Sequence, residues 1–401
     1  MTGKPLKEGE FIALCAMLMA MIAFAIDAML PAMTRIAADL TPEDPGRISL
    51  LIAIFMLGMG VGTLFAGPMS DSLGRRPVIL GGTALYCAMA ILCARAQSLD
   101  VMLLARFMMG LGVAGPRIAT QAMIRDLYAG EKMAKIVSFM MMIFVLVPAA
   151  APAVGLAIMA AFSWRAIFVA FVLFAVFAGG WYALRQPETL APEHRRPFTF
   201  GSFAEATREM MRLRMVVVSI AVQTLTLGML LGMISSIQPL FAITYGRETE
   251  FAFWFACIAL VAGTANVLNA RLVERLGMRP LATMGYTVQI GFAAAALALS
   301  LAGLLNFWLF LFWILTVFYM VGFTLGNLNA LAMEPLGHIA GIAASVMGAV
   351  STVGGAVLAG AVGLMFDGTA TPLTATVLIC ALISTVLMRS IAGEARIKRV
   401  A

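Results

Sequence analysis

Two long apolar segments of the chain are joined by the polar turn Gly67-Pro-Met-Ser-Asp71-Ser-Leu-Gly74-Arg75-Arg76-Pro77. The segments cover residues 48–69 and 77–96, and each is close to the roughly 20 residues that an α-helix needs to cross a bilayer. Within the turn, Gly74 permits a tight reversal and Asp71 faces the two arginines that follow it. The stretch therefore predicts a helical hairpin in a membrane.

The same kind of turn recurs in the second half of the chain. It reads Glu274-Arg-Leu-Gly277-Met-Arg279-Pro280, and it repeats an acid, a glycine, an arginine and a proline at an offset of 203 residues. Two weaker matches follow in the same order: residues 151–156 resemble 359–364, and residues 107–110 resemble 319–322. Three ordered matches at nearly one offset indicate an internal repeat, which is a recurring architecture of transporters.

Composition extends the membrane prediction to the whole chain, because 62% of its 401 residues are hydrophobic and only 12% are charged. An ordinary soluble domain carries roughly 25% charged residues. We expect an all-α polytopic membrane protein with twelve spans, at 10–33, 48–69, 77–96, 101–124, 134–159, 164–184, 215–241, 251–272, 279–301, 306–331, 339–366 and 372–390. They divide into an N-terminal six-helix bundle at 1–184, a cytoplasmic linker at 185–214 and a C-terminal six-helix bundle at 215–401.

The distribution of basic residues predicts the orientation of these spans. When basic residues at span ends are counted with the adjoining loop, two of the 27 lysines and arginines lie inside spans and five lie in one set of alternate loops. The other 20 lie on the opposite side of the membrane. Cytoplasmic loops carry the excess of Lys and Arg. Both termini are therefore predicted to be cytoplasmic, and the number of spans to be even.

The side-chain inventory excludes several classes of function. Two histidines and five dispersed cysteines, none of them in a Cys-x-x-Cys arrangement, predict no metal site. We find no nucleotide-binding loop and no carboxylate pair at one depth, so we expect no enzyme activity, no cofactor and no ATP drive. The net charge of +7 is spread over short loops at helix ends, so we expect no nucleic-acid partner.

These features together make the chain resemble the major facilitator superfamily. Residues 67–77 are similar to the signature of that family between helices two and three. The resemblance implies two pseudo-symmetric bundles with the substrate site between them. It also implies a conformational switch formed by this turn and the matching turn of the second half. The residues of the switch are Gly67, Asp71, Gly74, Arg75, Arg76, Glu274, Gly277 and Arg279.

Further stretches resemble the drug:proton antiporter branch of this family. Residues 27–31 with 36–40 look like its first-helix signature, and residues 106–112 look like its fourth-helix motif. An antiporter motif in the fifth span is matched through Pro148, Pro152 and Gly155, with an alanine where many members have glycine before proline. Four stretches resemble the bicyclomycin/chloramphenicol-type multidrug efflux subgroup: 125–128, 164–168, 187–190 and 334–341.

The resemblance implies a proton-coupled antiporter that exports small organic compounds, including drugs, by alternating access. A proton-coupled uptake symporter for a small metabolite is the alternative that remains open. The expected partners are a small-molecule substrate, protons and membrane lipid. The expected setting is a monomer in the bacterial inner membrane.

Three charged residues fall inside the predicted spans and more than two residues from a span end, namely Asp27, Arg106 and Arg117. A charge at mid-membrane costs at least about 2.5 kcal/mol and is functional by default. A rise of about 1.5 Å per residue places Asp27 and Arg106 at nearly one depth. We hypothesise that Asp27 is the proton-coupling site and Arg106 its charge partner or relay, because burial favours the neutral acid and an arginine favours the carboxylate. A purely structural Asp27–Arg106 pair between two helices is the alternative.

The fourth span also carries a polar stripe at helical spacing, which consists of Arg106, Gly110, Val113, Arg117 and Gln121. We expect this face to line a water-filled substrate cavity, with Gln223, Gln238 and Asn327 contributed by the second half. An interhelical hydrogen bond is the commoner role for each of those amides taken alone. Two arginines against one aspartate leave the cavity positive, which favours neutral or anionic substrates. A structural role for Arg117 remains open.

Overall fold

The computed structural model describes residues 6–195 and 200–391, and every regular element in these ranges is a helix. The α-helices are α1 (Glu8–Asp27), α2 (Met33–Leu40), α3 (Leu50–Leu73), α4 (Arg75–Arg95), α5 (Leu99–Leu127), α6 (Gly130–Ala161), α7 (Trp164–Arg185), α8 (Phe200–Arg212), α9 (Arg214–Pro239), α10 (Phe251–Leu276), α11 (Met278–Leu301), α12 (Phe307–Met333), α13 (Ala340–Leu364) and α14 (Thr371–Ser390). All except α2 and α8 reach the roughly 20 residues needed to span a bilayer.

Ten continuous stretches are long and apolar enough to cross a membrane. One of them, Phe307–Leu364, contains both α12 and α13, and α6 adds the shorter apolar stretch Leu146–Ala161. The prediction of twelve membrane helices is confirmed.

The first span is longer than the predicted 10–33 and is broken in the middle. Its apolar path runs over Glu8–Leu40, but α1 ends at Asp27, a 3₁₀ turn covers Leu30–Ala32, and α2 follows. Pro31 has no backbone N–H and cannot continue an α-helical ladder. The break leaves Asp27 at a helix end.

The polar turn at residues 67–77 is almost entirely helical. Gly67 and Asp71 lie in the last turns of α3, and α4 begins at Arg75, so only Gly74 lies outside a helix. Its φ of +108° belongs to the region that favours glycine. Gly277 occupies the same position between α10 and α11, with φ of +82°. The repeat seen in the sequence therefore has the same backbone form twice.

Two compact units divide the chain at Met1–Phe200 and Gly201–Ala401. The predicted linker at 185–214 contains the helix α8, whose Met210 is fully buried in the second unit among Val216, Leu336 and Ala343. This packing gives that part of the linker to the second unit. The boundaries 1–184, 185–214 and 215–401 stay a prediction.

Glycines hold α3 and α5 close together in the first unit. A Cβ on Gly58 would stand 2.0 Å from the carbonyl oxygen of Phe107, and a Cβ on Gly110 would stand 2.0 Å from the carbonyl oxygen of Phe55. In membranes, where lipid is as apolar as leucine, such close backbone contact is a main source of helix association. The contact fixes the rotation of α5 and with it the direction of Arg106.

Candidate functional site

Asp27 is the last residue of α1 and only 5% of its surface is exposed. Among the described residues no hydrogen-bond or ion-pair partner contacts its carboxyl. The next residue, Ala28, lies against α6, where a Cβ on Gly155 would come 2.0 Å from the Ala28 carbonyl oxygen. The structure thus brings the Gly155 end of the predicted antiporter motif next to the predicted proton-coupling residue. Pro148 and Pro152 lie inside the same helix α6.

Arg106 is fully buried, and backbone oxygen atoms rather than an acid receive its hydrogen bonds. Its Nε donates to the carbonyl of Leu51 and its Nη1 to the carbonyl of Ala25, each at 3.2 Å. The guanidinium carbon lies 4.3 Å from the ring centroid of Phe55, which is a cation–π contact. The Nη2 atom has no hydrogen-bond partner in the described part of the chain. Arg106 therefore joins α5 to both α1 and α3.

The predicted Asp27–Arg106 ion pair is not formed in this structure. Arg106 instead reaches the backbone of Ala25, two residues before Asp27. A similar depth of Asp27 and Arg106 along their helices does not determine where the two side chains point. The structural alternative, a salt bridge between the two helices, is absent for the same reason.

The five residues of the predicted polar stripe do not share one accessible face. Gly110 packs against α3 rather than facing a cavity, and Val113 is fully buried. Arg117 and Gln121 are half-buried, and the Nη1 of Arg117 donates a hydrogen bond to the Met59 sulfur at 3.9 Å. Helical spacing predicts which residues lie above one another, but the packing of α5 on α3 decides which of them stay accessible.

The polar residues predicted in the second half make hydrogen bonds within that unit. Asn327 donates to Asn269 at 2.8 Å and thereby joins α12 to α10. Gln223 accepts from Ser351 of α13 at 3.4 Å. The fully buried Gln238 donates to Glu248 at 3.4 Å. The contacts of Asn327 and Gln223 fit the interhelical role, whereas Glu248 lies in a short 3₁₀ turn before α10. Cavity lining stays a prediction for all three.

A charged cluster surrounds Arg75 at the turn between α3 and α4. Its guanidinium pairs with Asp71 one turn earlier, and its Nε donates to Asp126 at the end of α5, at 2.9 Å. Further bonds run from Nη2 to Asp126 at 3.2 Å and from Nη1 to Ser70 at 3.0 Å. The Arg75 side chain is only 7% exposed. The cluster therefore ties the ends of three helical segments to one buried cation.

Glu188 completes this cluster from a distant part of the sequence. Its carboxylate accepts the backbone N–H groups of Arg75 at 2.9 Å and Arg76 at 3.0 Å, and those of Thr189 and Leu190 at 3.0 Å each. It thus caps the N-terminus of α4, where free N–H groups and the helix dipole favour an anion. In the sequence, the stretches that contain Asp126 and Glu188 are notable only for their resemblance to a family, and no pattern there indicates that both residues contact Arg75.

The second-half turn keeps one part of this arrangement and lacks the other. Arg76 donates to the carbonyls of Ala183 and Gln186 at the end of α7, and Arg279 likewise donates to the carbonyl of Ile391 after α14, at 2.9 Å. The position that matches Arg75 is Met278, and in the described part of the chain Glu274 has no ion-pair partner. Within the ranges that the structure describes, the predicted switch residues therefore form an ion-pair cluster in the first unit and not in the second.

Glu188 supplies a prediction for acid pH. Burial raises the pKa of its carboxyl, but the backbone N–H groups of Leu190, Arg76, Arg75 and Thr189 outweigh burial and lower that pKa from its ordinary value of 4.5. Its stabilising contribution is therefore complete above the ordinary pKa and is lost as the pH falls through the lowered pKa. Protection of the Thr189 and Leu190 amides from hydrogen exchange, corrected for the intrinsic rate, should fall in that acid range.

The Glu188→Gln variant provides the control for this experiment. At neutral pH its amide protection should already be about tenfold lower, as expected for the loss of one charge-assisted hydrogen bond. The loss of amide protection at acid pH should be absent from the pH profile of this variant. An identical pH profile in wild type and variant would contradict the capping role.

The part of the chain that the structure describes holds no group of three or more His, Cys, Asp or Glu side chains placed to bind a metal ion. What it does present is two units of six long apolar helices each, a lone buried acid beside a helix break, and a charged cluster at one repeated turn. This combination defines a polytopic membrane transporter built from two repeated halves. The family model described as Major Facilitator Superfamily matches residues 12–359. The chain belongs to the major facilitator superfamily, whose members move small-molecule substrates across membranes and are not enzymes.

Curated relatives cover nearly the whole chain at modest identity. The bicyclomycin resistance protein homolog of Haemophilus influenzae is 28% identical over 382 residues, which covers 93% of this chain and 94% of that protein. The multidrug resistance protein MdtL of Salmonella heidelberg is 27% identical, with 92% and 91% covered. The predicted resemblance to this efflux subgroup is confirmed.

Solved structures show the same fold. A crystal structure of a D-xylose-proton symporter superposes with a TM-score of 0.77 at 14% identity and covers 94% of this chain and 97% of that chain. The human organic anion transporter MFSD10 superposes with a TM-score of 0.64 at 16% identity, with 96% and 100% covered. At such identities the likeness concerns the fold alone.

Proposed function

We propose that this protein exports small organic compounds, including drugs, in exchange for protons across the bacterial inner membrane. The observation that carries the proposal is Asp27, a buried acid in a membrane helix without a partner in the described residues. An acid held in this way is functional by default, because its charged form is costly in the membrane. The likeness to curated multidrug and bicyclomycin resistance proteins supports export as the direction of transport.

In this proposal Asp27 takes up a proton from the outside and releases it to the inside in each transport cycle. Arg106 holds the α1 backbone at Ala25 and so positions Asp27 rather than pairing with it. The break after α1 and the close contact between Ala28 and Gly155 form a hinge at which α1 can move against α6. Proton loading then biases one conformation over another, as alternating access requires.

The compounds that fit this site best are neutral or anionic. Arg106 and Arg117 lie in one membrane helix, and neither contacts an acid in the described part of the chain. Asp27 is the one buried acid among the described residues, so it alone offsets their charge there, and it is neutral when it carries the proton. A lipophilic cation would therefore meet net repulsion in the first unit.

The cluster around Arg75 is the proposed conformational switch. Its companions are Gly67, Gly74 and Arg76 in the first half and Glu274, Gly277 and Arg279 in the second. Because the buried Arg75 side chain is shared by Asp71 on α3 and Asp126 on α5, movement of α5 relative to α3 breaks one of its two ion pairs. We further propose that both termini are cytoplasmic, as the excess of basic residues favours, and that the protein acts as a monomer.

The test uses purified protein in liposomes with an acidic lumen that contains a pH-sensitive dye. Adding bicyclomycin, chloramphenicol or an anionic compound outside should raise the lumenal pH, because each molecule that enters is exchanged for a proton that leaves. A symporter would carry protons inward with the compound and lower the lumenal pH. A response to ethidium that exceeds every neutral or anionic compound would contradict the charge preference.

A further inference from the structure

One exposed face of α7 carries an open groove that plays no part in the proposed transport site. The groove encloses about 520 Å³ and is lined by Val176, Phe177, Gly180, Trp181, Leu184 and Arg185. Phe177 is 61% exposed and Leu184 is 86% exposed. Gly180 has nothing within 4 Å of the point where a Cβ would stand. The missing side chain of Gly180 therefore forms the floor of the groove, and its large apolar neighbours form the walls.

The groove ends at a cluster of charged side chains. Arg185 donates to Glu10 through Nε at 2.9 Å and through Nη2 at 3.0 Å, and the indole of Trp181 donates to the same carboxylate at 3.4 Å. Lys7, at the start of α1, adds a second positive charge that acts on Glu10. Two cations thus surround one carboxylate, and the Arg185 side chain remains 46% exposed.

We propose that this groove binds a phospholipid with an anionic headgroup. One acyl chain lies over Gly180 between Phe177 and Leu184, and the phosphate lies at Arg185 and Lys7. Glu10 does not neutralise the positive charge of the site, because it faces two cations. Its bidentate contact also holds the Arg185 guanidinium at the end of the groove. The inference is independent of the substrate and of the direction of transport.

The order of side chains along α7 supports this occupant over the others. Apolar walls are followed by an indole and then by basic groups, which is the order in which acyl chain, interface and headgroup are met in a bilayer. Basic pockets at the cytoplasmic side of membrane helices are recognised sites for anionic lipid headgroups. A second copy of the chain would bury the apolar walls but would leave the surplus positive charge unmatched.

Native mass spectrometry of the full-length protein in detergent provides the test. Phosphatidylglycerol and phosphatidylcholine with identical acyl chains are added separately, and the fraction of protein that retains each lipid is measured. Gly180→Leu fills the floor of the groove, and Arg185→Gln removes one cation. The matched control is Gly291→Leu in α11, an exposed helical glycine that also has nothing within 4 Å of its Cβ position.

We expect wild type and Gly291→Leu to bind phosphatidylglycerol more tightly than phosphatidylcholine. Arg185→Gln should weaken phosphatidylglycerol binding by about fivefold, the effect of one basic residue near a headgroup. It should weaken phosphatidylcholine binding less, because the choline cation offsets the charge of the phosphate that meets Arg185. Gly180→Leu should weaken both lipids. Equal retention of the two lipids by wild type, or retention unaffected by Gly180→Leu, would overturn the proposal. A dimer that is lost only in Gly180→Leu would overturn it as well, because it would assign the groove to a second copy.

Discussion

The Asp27→Asn variant should bind its compound but lose compound-driven proton movement, with a lumenal pH signal no larger than that of empty liposomes. Asparagine has nearly the same shape as aspartate but cannot carry and release a proton. In the described residues the Asp27 carboxyl has no ion pair to lose, so the substitution removes no stabilising contact. The thermal midpoint of the variant in detergent should therefore stay within a few degrees of wild type.

Asp100→Asn is the matched control, because it makes the same chemical change at a side chain that is 77% exposed. We expect full proton movement from it. Two outcomes would count against the proton-coupling role of Asp27. The first is an Asp27→Asn variant that still couples fully. The second is a variant that fails to fold, which would assign Asp27 a structural role.

The Arg75→Leu variant should transport at least about tenfold more slowly than wild type while remaining folded. Leucine leaves Asp71 and Asp126 facing each other without the cation between them. We expect a destabilisation of the present conformation of about 1.5–3 kcal/mol, the range for a hydrogen bond to a charged group. About 1.4 kcal/mol is enough to change the ratio of two conformations tenfold.

Two further variants separate the roles of charge and geometry at this position. Arg75→Lys keeps the positive charge but loses the planar fork, so we expect an intermediate transport rate. Arg275→Leu removes an exposed arginine from the second-half turn, and we expect transport near the wild-type rate. Wild-type transport by Arg75→Leu, with intact folding, would show that the cluster does not control the cycle.

Sequence patterns predicted the helices and the repeated turn of this protein. Long apolar blocks bounded by charges leave little choice of structure in a membrane, because every backbone group must be bonded internally. The tight reversals at Gly74 and Gly277 followed from the glycines themselves, and both have a positive φ. These features depend on local chemistry, which the order of residues contains directly.

Contacts between distant residues were beyond sequence reasoning. Glu188 reaches the Arg75 backbone across 113 residues and Asp126 reaches the Arg75 side chain across 51, and no periodicity relates such positions. The same limit explains the unpaired Asp27 and Arg106. Their depths could be counted along the helices, but the rotation of α5 depends on the close contact of Gly110 with α3.

The two matching turns allow folding and mechanism to be compared within one molecule. The arginine that closes the end of the last helix is present in both halves, as Arg76 and as Arg279. The arginine that binds two acids is present in one half and is methionine in the other. A contact that is present in both halves is one that we expect the fold to require. A contact that is present in one half serves a role of that half alone. We therefore expect substitutions to be tolerated far better at Met278 than at Arg75.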